Sequence, residues 1–183
     1  MKRRILGIGL VVVWGSALAF GMHAAMSYDA APGTPARPQP AKQATSGKWS
    51  CTMIVHPYCP CSQASLKALR EVAERYPDEL SLDIVFAWQG GPAPCDNLEL
   101  AGRVPGAAVT WISPEQAEQE FGSYTSGQVL VYSPEGKLAF SGGITPGRGV
   151  DQPRYARDLF ELILSGKRSE SSVYGCPLQE EGA

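Results

Sequence analysis

The sequence predicts an α/β fold, with a mixed central sheet and helices on both faces, for the main body of the chain. Three observations carry this expectation. A strand–helix–strand run opens the body, a hairpin followed by a helix closes it, and the second strand is nearly continuous in its apolar character. Ahead of the body the sequence predicts an N-terminal transmembrane helix and a Pro/Ala-rich linker.

Residues 49–55 (WSCTMIV) are apolar and β-branched and stop at His56-Pro57, which reads as a first strand. A helix follows from Ser62, with Leu66, Leu69, Ala73 and Tyr76 on one face and Lys67, Arg70, Glu71 and Glu74 on the other, before Pro77 ends it. Residues 80–88 (LSLDIVFAW) form the second strand, expected to be covered on both faces. A loop-rich passage with one short helical piece at 96–102 leads to a third strand at 107–112. Ser113-Pro114-Glu115-Gln116 is a helix start with a capping box, and Gly122 closes that helix. Residues 128–132 and 137–140 flank Ser133-Pro134-Glu135-Gly136, a turn sequence that predicts an antiparallel hairpin. A glycine-rich loop then leads to a last helix from about Asp151 to Gly166, with an apolar stripe of Tyr155, Leu159, Leu162 and Ile163.

The 183 residues are 44% hydrophobic and 19% charged, with a formal net charge of −2. That excludes a mostly disordered chain and a large multidomain enzyme. Residues 1–46 hold five Lys/Arg and one Asp/Glu, so the body is net acidic, which argues against a nucleic-acid partner. Lys2, Arg3 and Arg4 precede an uncharged stretch, residues 5–22, in which Ser16 is the one polar side chain. Such a segment is either an export signal, with Ala17-Leu18-Ala19 as a cleavage pattern, or an uncleaved single-span anchor, the reading adopted here. Either way the body faces the periplasm or another extracytoplasmic side of the cell membrane. The expected organisation is a membrane segment at 1–25, a linker at 26–46, a folded domain at 47–166 and a C-terminal tail at 167–183 carrying Cys176. Pro35, Pro38 and Pro40 favour an extended, semi-rigid linker.

The chemistry lies in five cysteines, at 51, 59, 61, 95 and 176. Outside the cytoplasm such thiols are free to oxidise. Cys59-Pro60-Cys61 sits between the first strand and the first helix of the body, where unpaired N–H groups and positive potential lower a thiol's pKa. The thiolate is the nucleophile of thiol–disulfide exchange, so this placement suits redox work, with Cys59 as the attacker. A disulfide closed over one intervening residue is a tight, easily reduced ring, which fits an oxidising or isomerase-like pair. If that ring does not persist, a remote thiol resolves Cys59. Cys176, in a flexible tail, is the candidate, and a structural bridge between Cys176 and Cys95 is the competing reading. Cys51 reads as a small buried residue of the first strand. His56, three residues before Cys59, either supports the thiolate or packs at the strand end against Pro57.

The layout resembles the thioredoxin fold, in its membrane-tethered extracytoplasmic branch, over roughly residues 47–165. More narrowly, HPYCPCSQASL, TSGQVLVYSPEGKLAFSGGIT and VYGCPL resemble the redox proteins known as RedB. The resemblance implies that Cys59 and Cys61 are the redox pair and that the apolar segment is an anchor. The partners it implies are client thiols or disulfides of other proteins and an upstream redox partner. Two departures stand out. One residue, rather than two, separates the cysteines, and Gly127 stands near the position of the fold's cis-proline, which makes Thr125, Ser126 and Gly127 the candidates for a substrate-binding loop. Tyr58 occupies the usual aromatic position and is expected to shield the sulfur. Arg148, in the glycine-rich loop, either reaches the rim of the site or is solvated.

The expectation is thus a membrane-tethered thiol–disulfide oxidoreductase without a cofactor. Two other classes compete with it. One is a Cu(I)-binding metallochaperone using Cys59, Cys61 and His56, since soft sulfur ligands suit Cu(I). The other is a non-catalytic thioredoxin-like interaction module in which the cysteine pair is a staple.

Overall fold

The computed structural model describes residues 2–37 and 47–179. They fall into two units. The first is a single helix, α1 (Lys2–Ala30), which extends five residues into the segment expected to be linker. Its 22-residue stretch Gly9–Ala30 is long and apolar enough to cross a bilayer, with a mean hydropathy of 1.5.

The second unit holds a five-stranded mixed sheet. In chain order its elements are β1 (Trp49–Val55), α2 (Ser62–Arg75), β2 (Leu80–Ala87), α3 (Asp96–Ala101), β3 (Ala107–Ile112), α4 (Pro114–Phe121), β4 (Gln128–Tyr132), β5 (Leu138–Gly142) and α5 (Pro153–Leu164). The strand order is β3-β2-β1-β4-β5. β1, β2 and β3 run parallel, whereas β4 pairs antiparallel with β1 and with β5. Helices cover both faces, as the sequence predicts, and the arrangement is thioredoxin-like.

Alternation along the strands divides the core in two. On one face Cys51, Met53, Val55, Ile84 and Phe86 pack with Leu66, Leu69 and Val72 of α2 and with Phe160 and Ile163 of α5. On the other face Ile54, Val85, Ala87 and Leu130 pack with Ala117 of α4. Interior strand β2 is apolar on both sides for this reason. Helix α4 has eight residues, and the second face is completed by two non-helical pieces, through Ala36 and Leu178.

The local signals act as expected at α4. The Gln116 N–H donates to Ser113 Oγ at 3.2 Å and the Ser113 N–H to Gln116 Oε1 at 2.8 Å, closing the capping box. Gly122 ends the helix with a left-handed φ of 61°. At the hairpin the Gly136 N–H donates to the Ser133 carbonyl at 2.8 Å.

Three expectations need correction. β5 runs on to Gly142, two residues into the glycine-rich stretch, because Ser141 and Gly142 pair with Leu130 and Val129. Residues 33–37, expected in the extended linker, bond to the domain: the Gly33 N–H donates to the Val173 carbonyl, and the Arg37 N–H to the Gly122 carbonyl, both at 2.8 Å. Residues 38–46, with Pro38 and Pro40, lie outside the described residues. The C-terminal tail, expected to be flexible, is paired to the domain at several points between residues 169 and 178. Glu170 bridges to Ser141 beside β5 and Pro177 bridges to Thr125, while Val173 and Leu178 are buried. Paired backbone and buried apolar side chains hold such a segment in place.

Phe86 is fully buried and its ring stacks on Trp111 at 4.5 Å between centroids. Replacing it with alanine is expected to cost about 3–5 kcal/mol through lost transfer energy and the cavity left behind. Urea unfolding of the full chain checks this, and a loss under about 1 kcal/mol would show that the two-sided core does not depend on β2.

Candidate functional site

β1 delivers the site. After Val55 the chain turns through His56 to Cys61 and enters α2 at Ser62, so the cysteine motif immediately precedes the first turn of a 14-residue helix, with Cys61 at its N-cap. Asn97 of α3 holds that turn from below. Its buried Nδ2 donates to the His56 carbonyl at 3.0 Å and to the Cys59 carbonyl at 2.9 Å. The opposite wall is the segment before β4, where Gly127, with φ 85°, donates its N–H to the Ile54 carbonyl at 2.8 Å.

Three sulfurs meet here. The Sγ atoms of Cys59, Cys61 and Cys176 all lie within 4.8 Å of one another. Cys59 and Cys176 are in contact, with Sγ–Sγ 3.1 Å, and the Cys176 N–H lies 3.4 Å from Cys59 Sγ. All five cysteines are free thiols in this structure. The tail reaches the site through two backbone bonds, from the Ser126 N–H to the Cys176 carbonyl and from the Leu178 N–H to the Tyr124 carbonyl, each 2.9 Å. Arg148 fastens it from the other side, its Nη1 donating to the Gly175 carbonyl at 2.7 Å.

The surroundings separate the thiols electrostatically. Burial works to raise the Cys59 thiol, but hydrogen bonds outweigh it and hold the group below its ordinary value. They come from the Ser62 hydroxyl, the Cys176 thiol and the backbone N–H groups of Cys176 and Ser62. Cys176 is pushed up to about 12 by burial, by its hydrogen bond to Cys59 and by the charge of Cys59 and Cys61, with Arg148 working against the rise. Cys61 is raised, first by burial and then by the charge of Cys59, and Arg148 again opposes this. Of the three thiols, Cys59 is therefore the one that ionises first, and its sulfur then accepts from the Cys176 thiol.

A line of hydrogen-bonding groups backs the Cys59 sulfur. The His56 N–H donates to Ser126 Oγ at 2.7 Å, and Ser126 Oγ lies 2.7 Å from Ser62 Oγ. Either serine hydroxyl can donate in that pair, and the Ser62 hydroxyl also lowers the Cys59 thiol, which links Ser126 to the site.

The other expected residues fall into place around this centre. Cys61 is more exposed than Cys59, which is 1% exposed beneath the tail. His56 is not among the three clustered ligands. Its Nδ1 accepts the Tyr58 N–H at 3.2 Å and its ring meets Trp88 edge-on at 5.1 Å, so the short turn directs it into an aromatic group. Tyr58 is 55% exposed and packs its ring against Trp88 at 5.3 Å. Cys95 stands at the N-terminal boundary of α3 outside the sulfur cluster, and Cys176 lies against Cys59 rather than Cys95. Cys51 is fully buried in β1, and burial, with the charge of Asp83, raises its thiol to about 12. Thr125 and Ser126 are buried under the tail.

Sequence reasoning missed Ser62, although a hydroxyl on the first turn after a cysteine pair was a readable signal. It also missed Asn97, for which no sequence signal exists, because its role depends on α3 packing under the turn.

No protein-family model matches the sequence, and no curated protein is significantly similar to it. Solved structures are similar in fold. A hypothetical protein of Sinorhizobium meliloti superposes with a TM-score of 0.61 at 15% identity, covering 84% of this chain and 96% of its own. An uncharacterized conserved protein from Geobacillus kaustophilus gives a TM-score of 0.58 at 13% identity, over 84% of this chain and 94% of its own. An exposed lipoprotein thioredoxin of Streptococcus pneumoniae gives 0.46 at 15% identity, over 65% and 85%.

The depressed Cys59 thiol yields a pH prediction. Its thiolate fraction, and so its alkylation rate, is expected to plateau at lower pH than an ordinary thiol's. Ser62→Ala removes a donor and is expected to move that midpoint up, and Ser126→Ala to move it in the same direction by less. Alkylation of the full chain across pH, with labelled peptides read by mass, checks this, and a midpoint unmoved or lowered by Ser62→Ala would contradict it.

Proposed function

We propose that the chain is a membrane-tethered, extracytoplasmic thiol–disulfide oxidoreductase in which Cys59 is the nucleophile and Cys176 the resolving thiol. The observation that carries this reading is the 3.1 Å contact between a thiol held low and a thiol held high. The α1 helix is read as an uncleaved single-span anchor, and the likeness to the RedB redox proteins points the same way.

The reaction follows from the two environments. Once the tail moves aside, the Cys59 thiolate attacks one sulfur of a client disulfide, the client S–S bond breaks, and the departing sulfur leaves as a thiolate. Cys59 is then neutral, and the influences that kept Cys176 protonated, its hydrogen bond to the thiolate and the thiolate's charge, are gone. Burial still raises it, but Arg148 now favours its ionisation. The Cys176 thiolate attacks Cys59 Sγ, releases the reduced client and leaves a Cys59–Cys176 disulfide. An upstream dithiol returns it to the reduced state, and run in reverse the same steps oxidise a client dithiol. In that return step one thiolate of the upstream dithiol attacks Cys176 Sγ, the Cys59–Cys176 bond breaks with Cys59 leaving as the thiolate, and the second thiol of the dithiol then releases Cys176.

A second reading is favoured by one observation. Three sulfurs within 4.8 Å make a trigonal soft-ligand set, which suits Cu(I), with Cys176 in the place expected of His56. Cu(I) bound at one equivalent and lost in Cys176→Ser, with no exchange activity in the wild type, would establish that reading instead.

Disulfide reductase turnover of the full chain tests the oxidoreductase. Cys59→Ser is expected to abolish it. Cys176→Ser is expected to accumulate the mixed disulfide at Cys59 and lower turnover at least ten-fold, whereas Cys61→Ser retains the first exchange step. Unchanged turnover in Cys59→Ser would remove Cys59 from the role of nucleophile.

A further inference from the structure

The manner in which the tail is held carries information about what else fits there. Cys176 and Leu178 are joined to Ser126 and Tyr124 by backbone groups alone, with Pro177 opposite Thr125 in an antiparallel bridge. Bonds of this kind fit any extended segment, as in strand addition at a sheet edge. Selectivity comes from three side-chain positions of the occupant. Gly175 passes so close to the wall that an added Cβ would lie 1.9 Å from the Ser126 carbonyl oxygen, so the residue before the cysteine has no room for a side chain. Cys176 delivers its sulfur to Cys59 at 3.1 Å. Leu178, 4% exposed, places its side chain in the second core cluster beside Ile54 and Leu130. Cys59 is sealed beneath this segment, so no external disulfide reaches it while the segment is seated.

Building on the oxidoreductase reading, we infer that the 124–126 edge is a docking groove for extended client segments of the pattern glycine, cysteine, any residue, apolar residue. Residues 175–178 of the chain's own tail occupy it between turnovers. The tail is at once the resolving arm and an internal competitor. A client displaces it by making the same two backbone bonds and filling the same apolar position, and the tail's return expels the client as Cys176 attacks Cys59. The effective concentration of a tethered segment makes the competition steep, so a client that lacks the glycine is rejected.

The test uses the full chain with Cys176→Ser and short peptides whose cysteine is activated as a mixed disulfide with thionitrobenzoate. The Cys59 thiolate attacks the peptide sulfur, the Cys59–peptide disulfide forms, and thionitrobenzoate leaves as the coloured anion. Val-Tyr-Gly-Cys-Pro-Leu is expected to react at least ten-fold faster than the same peptide with alanine for glycine or glutamate for leucine, with the adduct mapped to Cys59 by mass. A second variant reads the seal directly. Gly175→Ala forces the tail off the wall and is expected to raise the alkylation rate of Cys59 at least five-fold. Equal rates for the three peptides would overturn the groove while leaving the oxidoreductase reading intact. No release from any peptide, nor from the small disulfide of thionitrobenzoate itself, would overturn both.

Discussion

The contact between the Cys59 and Cys176 sulfurs is the interaction on which the rest of the site depends. A buried thiolate is costly unless each of its hydrogen-bonding directions is filled. Here Ser62, the start of α2 and the thiol and backbone of Cys176 fill them. This explains features that look unrelated along the chain. The tail must approach closely, so glycine stands at 175. Its carbonyl and N–H groups need partners, which the segment before β4 and Arg148 supply. The wall must come close to β1, so Gly127 takes a positive φ and bonds to Ile54. Asn97 fixes the backbone on which Cys59 rides.

One chain thus makes five cysteines chemically different through position alone. Cys51 is sealed in the sheet and kept protonated, and Cys95 starts a short helix away from the cluster. The remaining three share a helix N-terminus but differ in which of them accepts hydrogen bonds and which donates. Charge on one thiol suppresses charge on the others, so the site ionises at Cys59 first. In the proposed function that ordering, rather than the two-cysteine spacing, sets the direction of attack.

Much of the fold was legible in the sequence because local signals and burial agreed. The apolar run of β2, the stripe of α5 and the capping box at Ser113 each name an element, and the resulting order leaves few topologies open. The tail was not legible. SSVYGCPL has the composition of a loop, and its order comes from backbone pairing with residues 124–126, which no local pattern announces. The sequence leaves the direction of the His56 ring open for a related reason. Three residues of separation put it near Cys59 along the chain, but the bond from the Tyr58 N–H and the Trp88 ring set its direction, and Trp88 arrives from another strand's end. The cysteine motif itself was readable, since its place between a strand and a helix start follows from sequence order.

The proposed mechanism has Cys59 pair with the tail thiol rather than with its near neighbour in the motif. The most direct measurement is a redox titration of the full chain, with free cysteines alkylated at each potential and the disulfide-linked peptides identified by mass. The first disulfide to form on mild oxidation is expected to join Cys59 to Cys176, with Cys51 still free. A first disulfide between Cys59 and Cys61, or between Cys176 and Cys95, would contradict it.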